Sequence, residues 1–184
     1  MIVWINGPFG GGKTQLAALL HQALSGSVVA DPEEVGSLLR RSIADHPTRA
    51  ADYQGYPAWR ALTVHLVTEL HRHTGGPVLV PMTVLDEGYA DELFGPLRTL
   101  DAHFHHLVLH AERVALAERI EASREYPGDA TRSEAVRIHR RRRAVDYRHA
   151  ADTWLHRSGH VIDTTTYTPG QTLQSALALL HTTS

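Results

Sequence analysis

Residues 7–14 read Gly-Pro-Phe-Gly-Gly-Gly-Lys-Thr, which satisfies the spacing G-x-x-x-x-G-K-[ST] (Walker A). Each position has a chemical reason. Gly7, Gly10, Gly11 and Gly12 let backbone N–H groups turn inward around phosphate oxygens without Cβ clashes. Pro8 and Phe9 fill the variable places, and Gln15 follows the motif. The Lys13 ammonium reaches β- and γ-phosphates, and the Thr14 hydroxyl is placed to ligate Mg²⁺. The chain has 17 arginines but a single lysine, Lys13. A lone lysine in that background points to a site that needs a compact ammonium rather than a guanidinium fork.

Other residues have the types and places to complete such a site. Asp31 follows an apolar run and precedes a proline. There a carboxylate can accept a proton from an attacking hydroxyl or hold a metal-bound water, and it can equally cap a helix. Arg119, Arg124, Arg132, Arg137, Arg140, Arg141, Arg142, Arg143 and Arg148 crowd residues 113–148. Arginines that close over a moving phosphoryl group stabilise its charge and exclude water; a solvated basic face is the plainer reading of most of them. Tyr53, Tyr56, Trp59 and Met82 are candidate apolar walls of an acceptor pocket, and helix packing accounts for Trp59 equally well. Thr83, at the end of a strand, is a candidate hydrogen-bond partner for the acceptor. His103, His105, His106 and His110 cluster in sequence, but successive residues of a strand face opposite ways, which argues against a metal site.

The elements that would position these residues alternate. Strands are expected at Ile2–Asn6, Val28–Ala30, Val78–Val80, Phe104–His110 and His160–Asp163. Helices are expected from Lys13 to Leu24, from Pro32 to about Ala44, from Pro57 to His73, from Asp86 to Leu100, from Arg113 to Ser123, from Ser133 to Leu155, and from Thr168-Pro169 to His181. Continuous apolar strands between helices are the pattern of a parallel sheet covered on both faces, an α/β fold of three layers. The phosphate motif follows a strand and opens a helix, as its chemistry demands. No repeat, low-complexity tract or linker divides the 184 residues, so one domain spanning 1–184 is expected, with a lid at about 119–148.

Composition narrows the function classes. Hydrophobic residues make up 42% and charged residues 21%, with a net charge of −2. That argues against nucleic acid or an anionic membrane as the main partner. The absence of cysteine excludes disulfides and thiolate metal sites. The opening Met-Ile-Val-Trp-Ile-Asn-Gly lacks the features of a signal peptide, and no apolar run is long enough for a membrane helix, so a cytoplasmic protein is expected. A GTPase would need an N-K-x-D element, for which no second lysine exists. An AAA-type motor or helicase would need an apolar run ending in Asp-Glu, whereas the third strand ends Val80-Pro81-Met82-Thr83. Small-molecule kinases of the nucleoside-monophosphate-kinase type suit the length, the missing acid and the arginine-rich lid. Oligomeric state has no signal in the sequence.

Together the segments Ile2-Val3-Trp4-Ile5-Asn6-Gly7, Gly-Pro-Phe-Gly-Gly-Gly-Lys-Thr-Gln, Asp31-Pro32-Glu33, Tyr56-Pro57-Ala58-Trp59-Arg60 and Val80-Pro81-Met82-Thr83 resemble the bacterial tunicamycin resistance proteins. The likeness covers roughly residues 1–120 and is vaguer beyond. It implies a relative of chloramphenicol phosphotransferase and nucleotide kinases, with sheet order 2-3-1-4-5. It implies ATP and Mg²⁺ as cofactors and, as partner, a small nucleoside-like molecule such as tunicamycin. By the same likeness Asp31 stands in the place of a catalytic base. Arg60 lies on the helix lining the acceptor pocket. Arg119 lies where such kinases set an arginine against adenine or phosphate, and Thr165 belongs to the loop, Asp163 to Pro169, that touches adenine from the other side. The expected function is phosphoryl transfer to a hydroxyl, with ATP-dependent sequestration of the drug as the alternative. A nucleic-acid-associated ATPase, motivated by the Arg140–Arg143 run, is the weakest reading.

Overall fold

In a computed structural model, which describes residues 1–101 and 103–181, five strands form one parallel sheet in the order β2-β3-β1-β4-β5. The strands are β1 (Ile2–Asn6), β2 (Val28–Val29), β3 (Val78–Pro81), β4 (Phe104–His110) and β5 (His160–Asp163). The order expected from the resemblance is the order found. β1 lies at the centre, with Ile2 opposite Val78 on one side and Phe104 on the other. All five residues of β1 are buried, which is why its sequence shows no polar alternation.

Alternation of side chains along β1 divides the core in two. Ile2 and Trp4 face one layer with Val78, Val80 and Val108; Val3 and Ile5 face the other with Leu79, Leu107 and Leu109. The second layer is covered by α1 (Lys13–Ala23) and α8 (Pro169–His181). The first is covered by α2 (Pro32–Ser42), α3 (Pro57–Thr74) and α4 (Glu87–Leu100), and by the tail of α6 (Ala130–Ala150). α5 (Arg113–Ala122) and α6 form the arginine-rich hairpin.

Helix starts follow capping chemistry. Asp31, Asp86 and Asp129 each accept a hydrogen bond from a backbone N–H of the first turn. Asp129 starts α6 at Ala130, three residues before the expected Ser133. The helix also does not run on evenly to Leu155. At Ala151–Leu155 it widens into one π-helical turn before the short α7 (His156–Ser158). α2 stops at Ser42, two residues short of Ala44.

His105 and His106 face opposite sides of the sheet and both are buried. His106 is wedged against Phe94 and bonded at both nitrogens. Nε2 lies 3.3 Å from the Asn6 amide nitrogen, and Nδ1 lies 3.3 Å from the Ser158 carbonyl oxygen. Asn6 donates, so Nε2 accepts and the proton sits on Nδ1: the neutral ring fits this slot. Burial pulls the pKa down to about 4, opposed by the Ser158 carbonyl and helped by the charges of Arg98 and His160. Between pH 6.5 and 4 the unfolded chain therefore binds a proton that the folded chain refuses. This stability is present above pH 6.5 and fades as pH falls, by an order of 3 kcal/mol in the limit. The urea midpoint of the wild type should drop between pH 7 and 4.5 more steeply than that of His106→Gln. Equal slopes would remove His106 from the acid sensitivity.

Candidate active site

The glycine loop leaves the carboxyl end of β1 and turns into α1. Gly7, Gly10 and Gly12 have φ of 141°, 81° and 93°, the left-handed region that side chains avoid. A Cβ on Gly7 would also stand 2.7 Å from the Leu109 carbonyl oxygen of β4. The loop closes on itself through a Gly11 N–H to Pro8 C=O bond of 3.0 Å. Its root is fixed by Asn6 and Thr83. Asn6 Oδ1 accepts from the N–H of Gly7 and of Val84, and Thr83 Oγ1 donates to the Gly7 carbonyl at 2.8 Å.

Lys13 is folded back onto this loop. Its Nζ donates to the Pro8 carbonyl at 2.9 Å and lies 5.3 Å from the Phe9 ring centroid. Burial lowers its pKa to about 7; Glu33 resists the shift and Arg140 adds to it. An ammonium held at the edge of deprotonation is a cation short of negative charge. Phosphate oxygens would supply that charge, so the loop fits the group its sequence implies. The Thr14 hydroxyl is exposed beside it at the start of α1.

On one side of the loop lies a cavity of about 330 Å³, walled by Gly10–Gly12, Gln15, Arg119, Thr164 and Tyr167 among others. Arg119 donates to the hydroxyl and carbonyl of Thr164 and, at 3.4 Å, to the carbonyl of Thr165. The structure thus brings Arg119 and the β5–α8 loop together over the glycine loop. The Thr165 hydroxyl is spent on Asp163, at 2.6 Å, and on the N–H of Glu112.

On the other side stands the first turn of α2. Asp31 is exposed, and one of its oxygens caps Glu33 N–H at 2.9 Å. Glu33, which the sequence offers only within the Asp31-Pro32-Glu33 segment, shares this place. Its pKa is raised, first by burial and then by Asp31, while Lys13 and Arg140 pull it down and Glu125 adds to the rise. Two carboxylates and two cations therefore share one field beside the loop. The signal was there: an acid two residues beyond Asp31 in a first helical turn.

The hairpin meets the loop through His139 and Arg143. His139 packs edge-on against Phe9 at 5.4 Å, and the Arg143 guanidinium lies 5.8 Å from the same ring. Arg124 instead lines a cavity of about 680 Å³ at the turn between α5 and α6, whose wall includes no glycine-loop residue. Much of the arginine charge is balanced inside the hairpin. Arg140 pairs with Glu125, Arg137 with Glu134, and Arg141 with both Glu121 and Glu134.

Four residues expected at the acceptor are held by partners within the fold. Trp59 is fully buried and its indole N–H donates to the Pro32 carbonyl, so it fastens α3 to α2. Met82 is buried and its carbonyl accepts from the Trp4 indole. The Thr83 hydroxyl is committed to Gly7, as described. Arg60 is buried, bonded to both oxygens of Glu92 and to the Gln54 carbonyl, and stacked over Tyr89. Tyr56 is half-buried and its hydroxyl accepts from the N–H of Ala50 and donates to its carbonyl, pinning the 49–52 loop. Among the described residues no group of three or more His, Asp or Glu side chains is arranged to hold a metal ion by itself.

The profile of the AAA domain family matches residues 2–147, which spans most of the chain and its glycine loop. The chain belongs to the AAA domain family. Within that family it lacks the acid expected of a motor, since β3 runs into Pro81, Met82 and Thr83. Its structure is similar to that of the tunicamycin resistance protein of Deinococcus radiodurans, with 28% identity, a TM-score of 0.71, and coverage of 97% of this chain and 94% of that one. A sugar kinase from Janibacter (17% identity, TM-score 0.63, coverage 98% and 94%) and a shikimate kinase from Bacteroides thetaiotaomicron (12%, 0.62, 98% and 98%) share the fold. No curated protein matches the sequence. No helix among the described residues is long and apolar enough to cross a membrane.

The depressed Lys13 pKa generates a measurable expectation for this AAA domain. Phosphate charge raises that pKa, so nucleotide binding near neutral pH takes up protons. Calorimetry of ADP binding at pH 7.5, in buffers of different ionisation enthalpy, should show net uptake. Lys13→Met should lose both the uptake and most of the affinity; zero uptake in the wild type would contradict the assignment.

Proposed function

We propose that the chain is an ATP-dependent phosphotransferase acting on a hydroxyl of a small, uncharged, nucleoside-like molecule, with tunicamycin as the leading candidate and antibiotic resistance as the outcome. The observation that carries this reading is the shared field of Asp31, Glu33, Lys13 and Arg140 at the mouth of the glycine loop. It sets carboxylates beside cations that would grip phosphate.

In this reading the nucleotide lies across the glycine loop, with its base in the cavity between Arg119 and the β5–α8 loop. Lys13 neutralises the β- and γ-phosphates. The acceptor hydroxyl oxygen attacks the terminal phosphorus, its proton passes to the Asp31 carboxylate, and the bond to the bridging oxygen breaks to leave ADP. Glu33 faces the same cations and keeps the base in a field of mixed sign. Thr14, with Asp31 or Glu33, would hold Mg²⁺, which when bound supplies charge neutralisation on the phosphates.

The acceptor side also argues for an uncharged substrate. A cavity beside it is lined by Asp52, Asp86 and Asp146 against Arg143, an excess of acid, while the guanidinium of Arg60 is cancelled by Glu92. An anionic acceptor would meet like charge there. The alternative, binding without transfer, is favoured by one observation: no acid stands at the end of β3.

Mass spectrometry of tunicamycin and of uridine after incubation with protein, ATP and Mg²⁺ should show the gain of one phosphate. Asp31→Asn should lower turnover by roughly 10²–10⁴-fold, and Lys13→Ala should abolish it. Drug bound without any phosphorylated product would establish sequestration instead.

A further inference from the structure

We infer that the space between α5 and α6 is a second ligand site, taking a compact uncharged ring that carries both N–H and C=O groups, as in a lactam or pyrimidinone. The cavity there measures about 580 Å³, larger than the one beside the glycine loop, and no glycine-loop residue lines it. Its volume lies in the range of small-molecule sites. Packed helices ordinarily fill the space between them with interlocking side chains. Here the facing positions are Ala111, Ala117, Ala144 and Ala151, and the local core is limited to Ala111, Leu116 and Ile120 with Ala144 against them.

One end of the cavity is polar and organised. The Tyr147 hydroxyl lies 3.0 Å from His110 Nδ1, 3.3 Å from His156 Nε2 and 3.3 Å from the Leu109 carbonyl oxygen. It has one proton to give. In the arrangement that uses the shortest contact, it donates to His110 Nδ1 and accepts from His156 Nε2–H. His110 then carries its proton on Nε2, and His156 presents a bare Nδ1. Neither of these two nitrogens has a hydrogen-bond partner among the described residues, and both rings line the cavity. The polar end thus offers one ring nitrogen that can donate to a ligand C=O and another that can accept from a ligand N–H. Burial, aided by His110, lowers the His156 pKa and keeps that ring neutral against the nearby Asp152.

Two further features agree. His156 is delivered by the π-helical turn at Ala151–Leu155, a distortion rare in helices and frequent at functional sites. The rim is near balance in charge, with Glu112 and Asp152 opposing Arg113 and Arg148 and with Arg141 paired to Glu121 and Glu134, so it favours no ionic ligand. α5 links this site to the nucleotide side: Ile120 lines the cavity and lies beside Gly10, while the adjacent Arg119 holds Thr164. The inference does not rest on the phosphotransferase reading.

The test is an NMR titration of the histidine ring signals with 2-pyridone and, separately, with benzoate, on the full chain with saturating ADP. His110 and His156 signals are assigned from their Phe variants. Expected is a saturable, millimolar shift of both signals with 2-pyridone, weaker binding of benzoate, and roughly tenfold loss of affinity in His156→Phe. Ala144→Leu fills the cavity and should abolish the shift; Ala117→Leu does the same from α5 should the first variant fail to fold. No saturable shift up to the solubility limit, displacement by ADP, preference for benzoate, or binding unaffected by both filling variants would each overturn the site.

Discussion

The side-chain amide of Asn6 is the joint on which the active face depends. It sits at the last residue of the central strand, fully buried, and uses both ends. Oδ1 receives the N–H groups of Gly7 and Val84, while Nδ2 donates to the Val84 carbonyl and to His106. The end of β1 is thereby tied to the segment after β3 and to the middle of β4. Without it, two backbone N–H groups and a carbonyl would be left in a dry interior, at about 1–3 kcal/mol each. Thr83 adds the matching bond to the Gly7 carbonyl. The glycine loop can be loose in its middle because its root is clamped on both sides.

That clamp explains the identity of the residues after β3. A catalytic acid at this place would have to face the phosphates, but Thr83 and Val84 are turned inward to hold the loop. The acids that share a field with Lys13 stand instead at the start of α2. There Asp31 serves as both helix cap and exposed carboxylate, and Trp59 anchors the turn from behind through Pro32. The long α3 thus contributes to the site by bracing rather than by contact.

The legible part of the sequence was the part governed by local rules. The glycine spacing, the strand runs and the capping aspartates gave the loop, all five strands and nearly every helix. What could not be read depends on distance in three dimensions. Trp59, Met82 and Thr83 carry groups suited to a pocket, but the fold spends them on partners 27, 78 and 76 residues away in sequence. Arg60 has the guanidinium of a ligand-binding residue, but Glu92, on another helix, cancels its charge. Among the arginines, composition announced a charged hairpin, yet only packing shows that Arg143 reaches Phe9 while Arg124 does not reach the loop. The π-helical turn has no local signal that sets it apart from ordinary helix.

Lys13 has one more consequence. With its pKa lowered to about 7, part of its amine is unprotonated near neutral pH, and an unprotonated amine is a nucleophile. Since every other side-chain cation of the Lys/Arg type in the chain is a guanidinium, an acylating reagent or an aldehyde finds a single side-chain amine to modify. A phosphate seated on the loop would protonate and cover that amine. The occupancy of the loop is thereby written into the chemical reactivity of one atom, the nitrogen of the chain's lone side-chain amine.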